Sequence, residues 1–237
     1  MDCGALRDDR WDRIKVFMPV GTKGRRGPRR DNRTFLDALL WTARSGGRWR
    51  DLPELRGDDR SAKRRYYHRI EMGVLDEMLA VLAREADLEW PMIVSSIVRA
   101  HQHAAGTRKV KGQRMPKARA GLGGGLSTTI HAASAALGLP VRLIGSPGQR
   151  NDIALAHQLI EENDPDATIA DKRSDADHLV DRITQTGADA VIPPEHNRIE
   201  RFFSKLKPFR RVAPRCDKLH ANVMGFVKLA AMAVWLK

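Results

Sequence analysis

The sequence is poor in several features that define common protein classes. It has two cysteines, Cys3 and Cys216, among 237 residues, so a disulfide framework is not expected and a reducing cytosol is favoured. No apolar run reaches the roughly eighteen residues that a membrane-spanning helix needs, and the N-terminus lacks the basic-then-apolar order of a signal peptide. Aromatic residues form 5% of the chain and hydrophobic residues 42%. We therefore expect a cytoplasmic protein with a substantial core and no membrane partner.

Basic residues outnumber acidic ones in three blocks of a chain whose formal net charge is +13. Residues 1–70 carry 19 basic and 10 acidic residues, residues 99–120 carry seven basic and none acidic, and residues 198–218 carry eight and two. Clustered Lys and Arg release counterions when they bind a polyanion. The pattern predicts a nucleic-acid partner, and a solvated basic surface is the alternative.

Two helical segments are predicted before the first strand. The first has Thr34 as its N-cap and ends at the glycine pair 46–47, with leucines at helical spacing between. The second covers residues 61–85 and is broken at Gly73. Short joints and an arginine-rich surface predict a helix-turn-helix-like DNA-binding region over residues 1–89. A plain helical cap on the following domain is the alternative.

Residues 90–237 are predicted to form a second region in which strands and helices alternate. Apolar β-branched runs predict one strand and then a hairpin around "AALGL". Helices over residues 151–163 and 175–187 are predicted to alternate with two short strands, and two more helices follow. The order β-β-β-α-β-α-β-α predicts an α/β fold, a mixed sheet of the ribonuclease H-like type with flanking helices.

Two acidic residues in this region are candidates for metal binding. Phosphodiester cleavage on such an architecture needs clustered carboxylates, because two divalent ions about 3.5–4 Å apart clamp the attacking and leaving oxygens. Mg²⁺ prefers oxygen ligands. Asp171 follows the predicted strand "ATIA", and Glu200 lies in a helix rich in Lys and Arg. The alternatives are a capping role for Asp171 and a surface ion pair for Glu200.

Several segments together resemble the bacterial insertion-sequence transposases of the DDE superfamily. The segments are "DNRTFLDALLWTARSGGRWRDLP", "IVSSIVRAHQHAAG", "GGLSTTIHAASAALGLPVRLI", "TIADKRSDADHL" and "IERFFSKLKPFRRVAPRCDKLHANVMGFVKLAAMAVWLK". The resemblance spans nearly the whole chain. It implies a transposase that cuts and joins double-stranded DNA at element ends with Mg²⁺ or Mn²⁺. It also implies a homo-oligomer on DNA and a place at the nucleoid of a bacterial cytoplasm.

The resemblance assigns the catalytic positions one by one. The second and third acids, which are also the metal ligands, map to Asp171 and Glu200. The first maps to Val94, because this chain has "IVSSIVRAH" where the family has "IDSTIVRAH". A valine neither binds Mg²⁺ nor accepts a proton, so we expect a badly weakened two-metal site.

Other positions also depart from the family pattern. The family carries Tyr, Lys and Asp at the positions of Ser174, Thr129 and Ala135, and it tends to carry Tyr and Arg at those of Pro193 and His196. The segment before the helix of Glu200 is also shorter than the family's. These departures strengthen the expectation of impaired activity.

Basic residues on two of the predicted helices are the expected DNA contacts. They are Lys205, Lys207, Arg210, Arg211, Arg64 and Arg65. Lys207 matches a basic residue of the family that follows the third acid. For His101 and His103 we favour a structural or DNA-proximal role over zinc binding, because no Cys or further His completes a zinc site.

Three hypotheses remain for the function of the chain. The first is an active transposase. The second is a transposase remnant that binds DNA without catalysis, or represses a related active enzyme. The third is the product of a decayed reading frame. Val94 and the shortened segment favour the second and third over the first.

Overall fold

A computed structural model describes thirteen stretches of the chain. The described residues are 6–18, 31–84, 86, 92–99, 127–135, 138–147, 155, 158–159, 167–170, 189–191, 200–214, 216–217 and 219–236. The predicted helix over residues 175–187 lies outside them. Of the predicted helix over 151–163, only residues 155, 158 and 159 are described, and they are helical.

The described strands form one five-stranded sheet. They are β1 Met92–Arg99, β2 Ser127–Ser134, β3 Pro140–Pro147, β4 Ala167–Ala170 and β5 Asp189–Val191. The order across the sheet is β3-β2-β1-β4-β5. β1 to β3 pair antiparallel, whereas β4 is parallel to both β1 and β5. This is the strand order of a ribonuclease H-like sheet, and the predicted mixed α/β fold is confirmed.

The hairpin between β2 and β3 turns where the sequence predicts it. Gly138 has a φ of 70°, a left-handed conformation that costs glycine little. Its amide donates to the carbonyl of Ala135 over 2.7 Å, and the Ala135 amide donates to the carbonyl of Leu139 over 2.9 Å. The hairpin prediction is therefore confirmed.

The described chain forms six α-helices. They are α1 Asp8–Ile14, α2 Asn32–Ser45, α3 Asp59–Glu71, α4 Val74–Ala83, α5 Glu200–Leu206 and α6 His220–Trp235. Gly73, with a φ of 69°, separates α3 from α4 as predicted. The link from α2 to α3 is longer and holds two 3-10 helices, Trp49–Asp51 and Glu54–Arg56. None of the helices in the described ranges is long and apolar enough to span a membrane.

The predicted start of α2 is wrong by about one turn. Asp31 is the N-cap, and its carboxylate accepts from the amides of Arg33 over 2.9 Å and Thr34 over 3.2 Å. Thr34 lies in the first turn, where its hydroxyl donates to Asp31. A carboxylate is the better partner for exposed helix-terminal amides because it also opposes the positive end of the helix dipole.

The core joins the helices before the sheet to the last helix of the chain. Trp49, Tyr66 and Phe226 form an aromatic cluster with ring centroids 4.5 to 5.9 Å apart. Tyr66 is fully buried, and its hydroxyl donates to the carbonyl of Asn222 over 2.7 Å. Burial raises the pKa of Tyr66 well above its ordinary value. The boundary between residues 89 and 90 stays a prediction, although the two regions share this core.

Two glycines allow α6 to lie close to its neighbours. A side-chain carbon at Gly145 of β3 would collide with His220 and Met224 of α6. One at Gly225 would lie 2.6 Å from the hydroxyl of Tyr66. Because real Cβ atoms avoid such distances, α6 packs on both β3 and α3 only where a side chain is absent.

Candidate active site and nucleic-acid interface

Position 94 lies in β1 where the antiparallel hairpin meets the parallel strands. Val94 pairs with Ala132 of β2, and its neighbour Ile93 pairs with Ala170, the last residue of β4. Asp171 comes next in the chain and lies outside the described residues. The backbone therefore sets position 94 beside the end of the strand that leads to Asp171.

The strands around position 94 offer no replacement carboxylate. No Asp or Glu occurs in β1, β2 or β3. Thr129 and Ala135, at positions where the resemblance implies Lys and Asp, are both buried. In the part of the chain that the structure describes, no group of three or more His, Cys, Asp or Glu could hold a metal ion.

A buried histidine links the three antiparallel strands, and sequence reasoning missed it. The Nδ1 atom of His131 lies 2.7 Å from the hydroxyl of Ser95, and its Nε2 atom lies 2.8 Å from the hydroxyl of Ser146. His131 and Ser146 are almost fully buried. The network satisfies polar groups inside the sheet and fixes the register of β1, β2 and β3. The available signal was a histidine in the middle of a predicted strand.

Glu200 is the first residue of α5, and its side chain lies outside the described atoms. The helix buries Phe202 and Leu206. The Nζ atom of Lys205 is 3.4 Å from the carbonyl of Gly138 in the β2–β3 turn. Lys205 thus links α5 to the hairpin. His101 and His103 lie outside the described residues.

The prediction that Arg211 contacts DNA is wrong. Its side chain is 7% exposed and forms a two-pronged ion pair with Asp217, with N–O distances of 2.9 and 3.2 Å. The guanidinium also donates to the carbonyl of Gly47 over 2.6 Å and lies over the rings of Trp49 and Phe226. Arg211 is thus a buried anchor, whereas Lys207 and Arg210 in the same segment are exposed.

The two arginines predicted on α3 have different surroundings. Arg64 is exposed, whereas the guanidinium of Arg65 lies 4.2 Å from the ring centre of Phe35 and bonds to Asn32. Arg64 belongs to an exposed basic face of α3. The other residues of this face each lie three or four positions from another member along the helix, so the side chains lie on the same side. These residues are Arg60, Lys63 and His68. Helical spacing could have identified this face from the sequence.

A family model and a curated relative both identify similarity to insertion-sequence transposases. A family model described as "Putative transposase of IS4/5 family" matches residues 6–79. The "Putative transposase for insertion sequence element IS6501" of Brucella ovis is 35% identical over 130 residues, covering 47% of this chain and 100% of the relative. The "Uncharacterized protein y4sN" of Sinorhizobium fredii is 74% identical over 125 residues, covering 53% and 100%.

Two solved structures are similar at a lower level. A pre-cleavage Mos1 transpososome has a TM-score of 0.37 and 11% identity, covering 97% of this chain and 86% of the other. A Mos1 mariner paired end complex with Mn has a TM-score of 0.24 and 12% identity, covering 96% and 84%. A match that covers the whole of an insertion-sequence relative and 47% of this chain, together with the family model, places this chain in the DDE transposases of bacterial insertion sequences.

Proposed function

We propose that this insertion-element transposase binds DNA but cleaves and transfers DNA strands only poorly. The observation that supports this proposal is the position of Val94 in the sheet. Val94 pairs with Ala132 of β2, and the residue before it pairs with Ala170 at the end of β4. Valine offers only hydrocarbon at the position where the family has its first metal-binding Asp. The loss of one ligand of three weakens a two-metal site severely.

Membership of the family suggests a divalent metal ion, and its identity as Mg²⁺ or Mn²⁺ is part of the proposal. Asp171 and Glu200 would supply carboxylate oxygens, which suit a hard cation. The donor set does not fit a complete site, because position 94 contributes no oxygen and no Asp or Glu lies in β1 to β3.

DNA binding is supported by exposed basic side chains on α3 and after α5. Arg64, Lys207 and Arg210 are all exposed, and the formal net charge of the chain is +13. Such surfaces bind the phosphate backbone through counterion release. A DNA-binding remnant or a repressor of a related active enzyme is therefore the second candidate. Either would act on the nucleoid, in the bacterial cytoplasm and as a homo-oligomer on DNA.

The test compares the natural chain with Val94→Asp. A supercoiled plasmid carrying the DNA that flanks the gene is incubated with Mg²⁺ or Mn²⁺, and strand nicking is followed on a gel. We expect no metal-dependent nicking by the natural chain. Mn²⁺ binding, measured by calorimetry, is expected to strengthen in Val94→Asp because a third carboxylate is restored.

Two control variants make the outcome specific. Val94→Asn has nearly the shape of the aspartate without its charge, so it is expected to gain little Mn²⁺ affinity. Val94→Asp with Asp171→Ala is expected to lose the gain. Robust nicking by the natural chain that disappears in Asp171→Ala would overturn the proposed impairment. Unchanged Mn²⁺ affinity in Val94→Asp would show that position 94 is not the ligand position.

A further inference from the structure

The segment that follows α5 closes the C-terminal end of α2. The amide of Arg210 donates to the carbonyl of Arg44 over 3.3 Å, and the amide of Arg211 donates to that of Ala43 over 3.0 Å. The last carbonyls of a helix have no partner within the helix. Two segments about 165 residues apart in sequence therefore form one rigid joint.

Two further features hold this joint together. The buried guanidinium of Arg211 donates to the carbonyl of Gly47, just beyond α2. Gly46 has a φ of 69°, and a side-chain carbon there would lie 3.0 Å from the Cβ atom of Arg210. Only a residue without a side chain allows both the left-handed turn and this close approach.

Four arginines surround the joint, and we name them the junction surface. They are Arg44, Arg48, Arg50 and Arg210. All but Arg44 are exposed, and the Arg44 guanidinium lies 5.7 Å from the ring centre of Phe209. The acid beside them is Asp51, which pairs with Arg48 over 3.2 Å. The charges of these four arginines and of Asp51 sum to +3.

We propose that the junction surface binds the sugar-phosphate backbone of duplex DNA. This inference rests on the proposed DNA binding and adds a site built from both ends of the chain. Arginine suits phosphate because its planar fork donates two hydrogen bonds to one anion. The rigid joint places these side chains on neighbouring backbone segments before DNA arrives, which lowers the entropy cost of binding.

The ion pair between Arg48 and Asp51 does not oppose this assignment. Both side chains are exposed, and an exposed pair adds little to stability because water screens its charges. A phosphate can therefore replace Asp51 as the partner of Arg48 at little cost.

The site would connect DNA binding to the helix of the third catalytic position. Arg210 follows α5, which begins at Glu200, whereas Arg48 and Arg50 follow α2. A backbone bound across the joint is held by both segments together. The contact is independent of base sequence, because phosphate contacts position a protein and do not read bases.

The experiment measures the salt dependence of binding to a fluorescent random-sequence duplex with the full chain. The variant Arg48→Ala/Arg50→Ala/Arg210→Ala removes three charges and keeps the Arg210 amide that caps α2. The slope of log K against log salt is negative, and each lost phosphate contact reduces its steepness by about 0.9, so a reduction of about 2–3 is expected. The matched control Arg84→Ala removes an exposed arginine after α4, and its slope is expected to stay unchanged.

Each outcome bears on one claim. A natural chain that binds no duplex at low salt would refute the proposed DNA binding itself. Normal binding with an unchanged slope in the triple variant would refute only the junction surface. A decrease of equal size per charge in Arg84→Ala would show a diffuse charge effect and also refute it. Equal affinity for poly-glutamate or for anionic lipid vesicles would exclude duplex DNA as the specific partner. Circular dichroism verifies that all variants are folded.

Discussion

Removal of Asp217 is expected to destabilise the protein more than removal of the whole ion pair. In the variant Asp217→Ala, the Arg211 guanidinium stays buried, 7% exposed, without the carboxylate that now accepts two of its hydrogen bonds. Loss of one partner of a buried pair costs about 3–5 kcal/mol. Arg211 keeps its bond to Gly47 and its two aromatic contacts, so we expect about 3 kcal/mol.

The double variant Arg211→Met/Asp217→Leu separates charge burial from general damage. Methionine retains an unbranched chain against the aromatic cluster and leaves no charge in the core. Buried pairs replaced by apolar residues are often neutral or stabilising. The carbonyl of Gly47 loses a donor, however, so we expect a net loss of about 1 kcal/mol. The double variant should therefore be more stable than Asp217→Ala alone.

Urea unfolding followed by circular dichroism measures the three free energies of unfolding. Linear extrapolation gives them if the transition is two-state, which a second spectroscopic probe verifies. The order expected is natural chain, then double variant, then Asp217→Ala. A loss of unfolding free energy below about 1 kcal/mol in Asp217→Ala would contradict this expectation, because so small a loss is typical of an exposed ion pair. So would a double variant less stable than Asp217→Ala.

Three further changes test other parts of the fold. Asp31→Ala should lower the free energy of unfolding by about 1 kcal/mol through loss of the α2 cap. Burial tends to raise the pKa of Asp31, but hydrogen bonds from the first turn of α2 outweigh it and lower the pKa. Because the folded pKa is depressed, this stability is present above the unfolded value near pH 4 and is lost as pH falls, so urea unfolding of natural chain and variant should converge at pH 2–3. Gly225→Ala should cost about 1–3 kcal/mol, because the new carbon meets Tyr66, and an unchanged melting curve would refute the close packing. Ser146→Ala should cost about 1 kcal/mol by removing one hydrogen bond of His131, whereas Val141→Ala, on a half-buried neighbour of the same strand, controls for general damage to β3.

Local sequence signals predicted the main features of the fold. The β2–β3 hairpin follows from two apolar runs around Gly138, and the break after α3 follows from Gly73. Both depend on backbone conformations that glycine adopts within a few residues. The start of α2 was missed because Asp31 and Thr34 are both good N-caps, and sequence alone does not rank them.

The burial of a side chain by residues far away in the sequence could not be predicted from local signals. Arg211 lies in a basic run and therefore looks like a DNA contact, yet its partners include Gly47, Trp49 and Phe226. The His131 network likewise needs the register of three strands before it is visible. The departure at Val94 was visible only through family resemblance, because an apolar strand residue is ordinary by itself. The roles assigned to Asp171 and Glu200 stay predictions.

The position of α6 affects how the protein folds during translation. α6 follows every other described element in the chain, yet it fills the core between α2, α3 and β3. The helices made first therefore emerge with apolar faces that stay uncovered until almost all of the chain has been translated. A premature stop codon anywhere before His220 would release a product whose core lacks α6. Chaperones and proteases would bind or degrade such a product before it could bind DNA.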